Sequence, residues 1–375
     1  MELNFKVFNI DFMQPKYLFG LFFIIALVLI GCNNYDENIH KDEISYIIPI
    51  DSIEFNYNLD SLENKNDKGY KLNLYGQHIT VLPNQDFRYT SITSQNELHT
   101  FYSSTNRHVF SDPVLKSKID AYKVDSSYLY LLSNNTLYKK DHKLNTVDSF
   151  KFITPTINKK HGVDFSLQNN SNLFKIKDYF ILLYYVVERN TDNSSVYKNT
   201  NPIFYYFNRD TSYFAGSGCK SDSTYQYFRY PAIAADSNFL YHAPRVLNCI
   251  SKSNEFKTLL TAPIDTLNGN YLTINYDDQY QISKLKRYRF TTDYNKDIIV
   301  TKSNLFLLKE YASKIFYRNN IRNYNRNIEL KKFDKKLNLI KTYHIKNNKY
   351  SYALIKKGKL YLLSLRNNKC YIYEI

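Results

Sequence analysis

The sequence predicts an all-β chain and, within that class, a β-propeller of six blades closed by an N-terminal strand that completes the last blade. Three observations carry the expectation. Almost no stretch repeats apolar residues at helical spacing, whereas many short apolar runs are separated by Asn, Asp, Ser and Lys clusters. One element, a polar turn followed by a tight aromatic and aliphatic run, recurs along the chain. The C-terminal hairpin lacks an outer neighbour that an alternating segment near the N-terminus could supply.

The recurring element reads Asn96 to Phe101, Ser127 to Leu132, Asp178 to Leu183, Ser237 to His242, Ser303 to Leu308 and Lys357 to Leu363, with Leu98, Leu129, Phe180, Phe239, Leu305 and Leu360 as markers. Its intervals are irregular, as expected of one unit with variable loops. After most copies a second strand ends in a polar turn, as in Thr136 to Asp141 and Ile328 to Asp334. A third leaves that turn, as in Asn145 to Phe152 and Asn338 to Ile345. Six such units imply six blades, with apolar inner strands and more polar outer ones. The hairpin Lys359 to Leu365 and Cys370 to Ile375 lacks an outer strand, and Ser52 to Leu59 alternates in a way that suits one and would cover an exposed edge. A β-sandwich or two smaller β domains is the competing architecture.

Composition agrees with strands. The 375 residues include 37 Tyr and 25 Phe but only 9 Gly and 9 Pro, and aromatic and β-branched residues suit a pleated surface. An AT-rich genome enriches the same residues, so the Tyr count carries no function by itself.

Ahead of this body, Tyr17 to Ile30 (YLFGLFFIIALVLI) is uncharged and follows Lys16; it is shorter than the about 20 residues a spanning helix needs and matches a signal-peptide core. It runs into Leu29-Ile30-Gly31-Cys32, which resembles the lipobox of bacterial lipoproteins. That resemblance implies cleavage before Cys32, acylation of its thiol (palmitate among the chains) and attachment to a membrane. The expected organisation is residues 1–31 signal peptide, 32–45 flexible acidic tether and 46–375 propeller. Glu2 and Asp11 are unusual ahead of such a core, so translation from Met13 is the alternative to Met1.

Lipobox, acidic tether, missing helices and degenerate hairpin units together resemble the six-bladed propeller lipoproteins of Bacteroides-type bacteria. The resemblance implies an envelope location, expected to be the outer membrane with possible surface exposure, and no established activity. It also implies O-glycosylation at Asp-Ser/Thr triplets such as Asp51-Ser52-Ile53, Asp60-Ser61-Leu62, Asp222-Ser223-Thr224 and Asp265-Thr266-Leu267.

Charge is unevenly placed. Residues 1–282 carry 27 Lys+Arg against 29 Asp+Glu, and residues 283–375 carry 23 against 6, so the whole excess is C-terminal. Such a surface could attract nucleic acid, anionic lipid, lipopolysaccharide or acidic glycans, and a solvated Lys-rich face without a partner is the alternative. Export removes nucleic acid from the expected partners, which are the membrane and a glycan, peptide or envelope protein.

Signatures of catalysis are missing. Gly216-Ser217-Gly218 lacks the spacing of a nucleophile elbow and reads as a turn. No phosphate loop is present, and the eight His form neither H-x-H nor H-x-x-x-H pairs, so no metal or cofactor is expected. No catalytic residue is assigned. His99 and His242 hold related places after their markers and could both face a central channel. Tyr225, Tyr227, Phe228, Arg229 and Tyr230 form the densest aromatic cluster, a candidate ligand surface. Cys219 and Cys249 are the pair at moderate separation that an oxidising envelope would permit to bond, whereas Cys370 reads as a core thiol. The function expected is a lipid-anchored binding or scaffold protein, and the alternative is a polysaccharide hydrolase or lyase.

Overall fold

The computed structural model describes residues 43–54, 78–81, 87–92, 97–102, 107–117, 119–125, 127–141, 143–152, 163–167, 171–188, 202–216, 218–219, 231–265, 293–318, 321–346, 350–364 and 367–375. Residues 44–375 form one compact unit; of the other, 1–43, only Glu43 is described. Cys32, the translation starts, the 225–230 cluster and the Asp60 and Asp222 triplets lie outside the described residues.

Every regular element among the described residues is a strand. The N-terminal segment gives β1 (Glu43–Ile47) and β2 (Asp51–Glu54), and an N-terminal sheet follows from β3 (His78–Val81), β4 (Phe87–Ile92), β5 (Glu97–Tyr102) and β6 (Arg107–Pro113). The first blade comprises β7 (Ala121–Val124), β8 (Leu129–Ser133), β9 (Thr136–Lys140) and β10 (Thr146–Lys151). The second is built on β11 (Val163–Leu167), β13 (Phe174–Ile176), β14 (Tyr179–Glu188), β15 (Pro202–Phe207) and β16 (Ser212–Gly216), while β12 (Ser171–Asn172) crosses to pair with β7. The third blade is β17 (Ala232–Ala235), β18 (Leu240–Ala243), β19 (Ile250–Ser253) and β20 (Thr258–Ala262). A fourth contains β21 (Tyr294–Val300), β22 (Asn304–Arg318), β23 (Ile321–Asp334) and β24 (Leu339–Ile345), and the fifth β25 (Tyr352–Lys356), β26 (Lys359–Ser364) and β27 (Lys369–Glu374).

Consecutive sheets are packed face to face, which makes the chain an all-β propeller. Leu182 and Phe207 fill the space between the first and second blades, Tyr206 and Leu240 that between the second and third, Leu305 and Phe333 the next, and Leu308 and Tyr373 the last. All eight side chains are at most 1% exposed. Burying a side chain of this size stabilises by roughly 1.5–3 kcal/mol.

The blade count is a correction to the sequence expectation. Five blades have described packing; in the N-terminal sheet Leu98 alone joins a described core, beside Tyr122 and Leu131 of the first blade. The marker register shows why. Leu129, Phe180, Leu305 and Leu360 lie on second strands and Phe239 just before one, whereas Leu98 lies on the third strand of its sheet. The apolar run is also not the innermost strand. Each blade has a strand inside it (β7, β13, β17, β21 or β25), shorter and less apolar than the search for continuous runs required.

The polar turns before two of the runs share a physical cause. Asp125 Oδ1 accepts from the amides of Ser127 and Tyr128, and Asp236 Oδ1 from those of Asn238 and Phe239. This side-chain-closed turn hands the chain from the innermost strand to the second without a glycine. A longer version closes the third hairpin turn twice. Asp141 and Asp334 accept from the amides two and four residues on, and Leu144 and Leu337 adopt φ 68. A Leu in that region is uncommon; Leu337, only 3% exposed, offsets the strain by burial.

The ends of the described chain meet in the last two blades. β2 pairs antiparallel with β27, Ile53 opposite Cys370, as the outer strand of the fifth blade, and β1 adds to β24 at the edge of the fourth. Strand β1 therefore begins inside the stretch read as tether. The partner segment expected at Ser52 to Leu59 is described only as far as Glu54.

Candidate functional site

Between the first and second blades lies a groove of about 460 Å³. Strand alternation builds it: Tyr130, Leu137 and Phe180, all under 9% exposed, form the floor, and half-buried Phe150 forms one wall. Lys139 and Lys175 stand half-buried above the floor, while Asp148, Asp178, Arg209 and Asp210 are exposed at the rim. Lys175 Nζ sits 5.5 Å from the Tyr130 ring and 5.4 Å from that of Phe180, with no ion-pair partner among the described residues. Arg209 donates to both oxygens of Asp148, at 2.8 and 2.9 Å, with its guanidinium 5.6 Å from the Phe150 ring. The Arg209 hydrogen bond holds the Asp148 carboxyl below the usual carboxylate range. Charged hydrogen-bonding groups thus ring an aromatic floor, the composition of a site for a ligand with an apolar face and polar edges.

A second cluster, in the fourth blade, is closed. Lys309 Nζ lies 2.9 Å from Asp265, 3.1 Å from Asp293 and 3.6 Å from Glu329; Lys331 Nζ lies 2.6 Å from Asp265 and 3.5 Å from Glu329. The Asp265 amide and that of Ile264 donate to Asn248 Oδ1. Burial pushes the Asp265 carboxyl up, but Lys331 and Lys309 more than offset this and hold it below the usual range. Burial lowers the His344 imidazole despite Glu329 at 3.7 Å, and Tyr311 Oη meets its Nδ1 at 3.1 Å. Two ammonium groups thus tie together three carboxylates from separate segments, and the arrangement is a closed ionic brace.

A third feature is Asp297 on innermost strand β21. The residue keeps some exposure, yet its carboxyl is enclosed, and burial raises its pKa to about 7. Neighbouring Lys296 bonds Glu310 and donates to the Tyr350 carbonyl at 2.6 Å.

The residues singled out from sequence are not brought together. His242 is 1% exposed on second strand β18, edge-on to Phe204 at 5.3 Å, and burial lowers its pKa to about 3. It therefore neither faces a channel nor reaches a ligand. His99 lies on the third strand of the N-terminal sheet, so the two are not equivalent, and its side chain is outside the described set. Tyr225, Tyr227, Arg229 and Tyr230 are likewise outside it. Cys219 and Cys249 are joined as a disulfide, and Cys370 is a buried free thiol whose pKa burial pushes up to about 12. Gly218 is a bend where an added Cβ would meet the Thr258 side chain at 2.2 Å. Asp236 closes its turn and accepts from Lys335 at 3.1 Å, and Glu310 is the partner of Lys296. Among the described residues no His, Cys, Asp and Glu group is arranged to hold a metal. Sequence reading missed the groove because its walls come from turns of two blades; the signal available was Asn208-Arg209-Asp210, a charged turn beside two aromatic strands.

No known family model matches the sequence, and no curated protein does. Among solved structures, a member of the DUF4221 family from Bacteroides vulgatus is similar, with TM-score 0.55 and 11% identity over 88% of this chain and 97% of that one. BamB from Moraxella catarrhalis gives TM-score 0.36 and 8% identity over 88% and 100%; a protein of unknown function from Bacteroides caccae gives 0.35 and 10% over 74% and 82%. The likeness to the Bacteroides vulgatus protein is one of fold alone, that of an all-β propeller.

Proposed function

We propose that this chain is a lipid-anchored binding protein of the bacterial cell envelope whose groove between the first and second blades takes a glycan. The observation that carries the reading is the groove itself, an aromatic floor with half-buried lysines and a rim of Asp148, Asp178, Arg209 and Asp210. Sugars present one apolar face and a ring of hydroxyls, which suits that arrangement. A peptide added as a strand would need an unpaired backbone edge, and this groove is walled by side chains.

Anchoring rests on the lipobox at Cys32, and an outer-membrane location on the resemblance drawn above. The hydrolase or lyase reading would have to draw on Asp297 and Glu310, the latter already bonded to Lys296.

Titration of the protein with oligosaccharides from its own envelope and surroundings tests the function. The expected result is saturable binding that Lys175→Gln and Arg209→Gln weaken about tenfold, each removing charged hydrogen bonds. Binding unaffected by both variants would place the site elsewhere, and turnover of the sugar lost in Asp297→Asn would make the protein an enzyme.

A further inference from the structure

Among the described residues, the junctions between the first four blades are built alike, and the groove is the one left open. At each junction the turn leading into the later blade's outer strand starts with an Asx residue, Asn208, Asn254 or Asp334, whose Oδ1 accepts from two amides. The residue after it reaches back to the preceding blade. Lys335 donates to Asp236 at 3.1 Å and Glu255 bonds Lys177, and both partners lie in the turn after an innermost strand. Arg209 turns outward to Asp148 on β10 instead, so it does not close on Asp125, the counterpart of Asp236.

Strand register extends the comparison between the closed junction of the third and fourth blades and the open one. Lys252 opposes Tyr241 as Lys139 opposes Tyr130, and their ammonium groups lie 4.0 and 3.7 Å from the Phe239 and Tyr128 rings. Lys252 Nζ donates to the Lys335 carbonyl at 2.9 Å, whereas Lys139 Nζ has no hydrogen-bond acceptor among the described residues. Where the closed junction has Ala234 opposite Tyr241 and Val300 opposite Leu305, the open one has Lys123 opposite Tyr130 and Lys175 opposite Phe180. Both differences put a lysine on the face that forms the floor. Burial lowers the Lys123 pKa; Asp125 opposes that shift and Lys175 adds to it.

The acids nearby are taken or turned outward. Asp125 accepts from the amides of Ser127 and Tyr128, Asp148 from Arg209, and Asp178 and Asp210 are exposed at the rim. Half-buried ammonium groups without a partner are costly, and an anionic oxygen brought to them forms the stronger, charge-assisted kind of hydrogen bond. The acidic rim disfavours a polyanion, which needs a broad face of one sign. Hydroxyl donors suit those outer carboxylates.

We infer that the groove recognises an acidic sugar residue, whose carboxylate or sulfate group is received by Lys139 and Lys175 at the floor while its hydroxyls donate to Asp178 and Asp210. This rests on the glycan reading of the same groove and names the chemical class of the sugar. The anionic oxygen takes the place that the Lys335 carbonyl holds at the closed junction.

Oligosaccharides retained by the full chain from its own envelope and surroundings are separated by charge, and portions of the acidic fraction are carboxyl-reduced or desulfated. The expected result is that an acidic oligosaccharide binds and that one of the two treatments weakens it about tenfold, which tells a carboxylate from a sulfate ester. Lys139→Gln and Lys175→Gln should each weaken the acidic form about tenfold and change the neutralised form by less than about twofold, a comparison that also shows the variants to be folded. Retained glycans that are neutral, or that bind equally well after both treatments while Lys175→Gln and Arg209→Gln still weaken them, overturn the acidic class and leave the groove reading intact. Retention that no groove variant alters, or no retained glycan at all, sinks the groove reading and this inference with it.

Discussion

The fourth blade and the groove between the first two blades both contain carboxylates bonded to cations, and they differ in access to water. Lys309 and Lys331 have side chains 4% and 6% exposed, and each bridges carboxylates from separate segments. Arg209 and Asp148 are 59% and 49% exposed and bridge two neighbouring turns. A buried charge that loses its partner has no solvent to fall back on, so the enclosed network holds the fold while contributing little chemistry. The open pair contributes about 0–1 kcal/mol to stability, which leaves its groups free to serve a ligand. The difference teaches that exposure, more than the kind of residue, separates a structural ion pair from a functional one.

Removing the lysine at the centre of the network tests this most severely. Lys309→Met retains volume but removes one of the two ammonium groups that tie Asp265, Asp293 and Glu329 together, and a loss of about 3–5 kcal/mol is expected in urea unfolding. A loss under about 1 kcal/mol would mean that the network is not what holds Asp265 and Asp293 in place.

The disulfide comes next. It closes a loop with a sequence separation of 30 and fixes the segment that presents Asn248 to Asp265. Cys219→Ser with Cys249→Ser should cost about 3 kcal/mol, read as a lowered unfolding midpoint under oxidising conditions. An unchanged midpoint would detach the loop from the network.

Acid and base act in opposite directions on two carboxyls. Asp265 has a lowered pKa, so its contribution is present above the unfolded carboxylate range and is lost as pH falls. Asp297 is raised to about 7, so the folded state holds a proton that the unfolded chain releases from about pH 4 upward. Stability from this group is full below about pH 4, declines as pH rises and is gone above about 7. Asp297→Asn should therefore gain about 1–3 kcal/mol at pH 8 and little at pH 4. An equal gain at both values would show that the carboxyl is not held protonated.

The smallest expected effect is at the groove. Lys175→Gln and Arg209→Gln should each change stability by no more than about 0.5 kcal/mol in thermal melts, as surface substitutions do. A larger loss would return the groove to the structural class.

Much of the fold was legible because turn chemistry and alternation are local. Asp125 and Asp236 announce the turns before Tyr128 and Phe239, and Asn338 to Ile345 and Asn145 to Phe152 contain strands, although these are the fourth of their blades where a third was expected. The innermost strands were not legible. Ala232 to Ala235 and Ala121 to Val124 are only four residues each and lack the large apolar run that marks their neighbours. Leu98 misled because a turn and an apolar run recur at the third strand as well as the second. The candidate sites were less legible still. His242 admitted both a channel-facing and a structural reading from sequence, and its burial between two sheets makes it a core residue. The groove and the Lys309 network contain ion pairs 61 and 66 positions apart (Arg209 to Asp148 and Lys331 to Asp265), a proximity that no local pattern encodes.

The most direct test measures two quantities on the same proteins: unfolding free energy and affinity for the bound oligosaccharide, for wild type, Lys309→Met and the Lys175→Gln/Arg209→Gln pair. The account predicts that Lys309→Met loses several kcal/mol of stability while its folded fraction keeps full affinity, and that the groove pair keeps stability while losing affinity. The opposite assignment, with the groove pair unfolding the protein or the folded Lys309→Met form failing to bind, would contradict it.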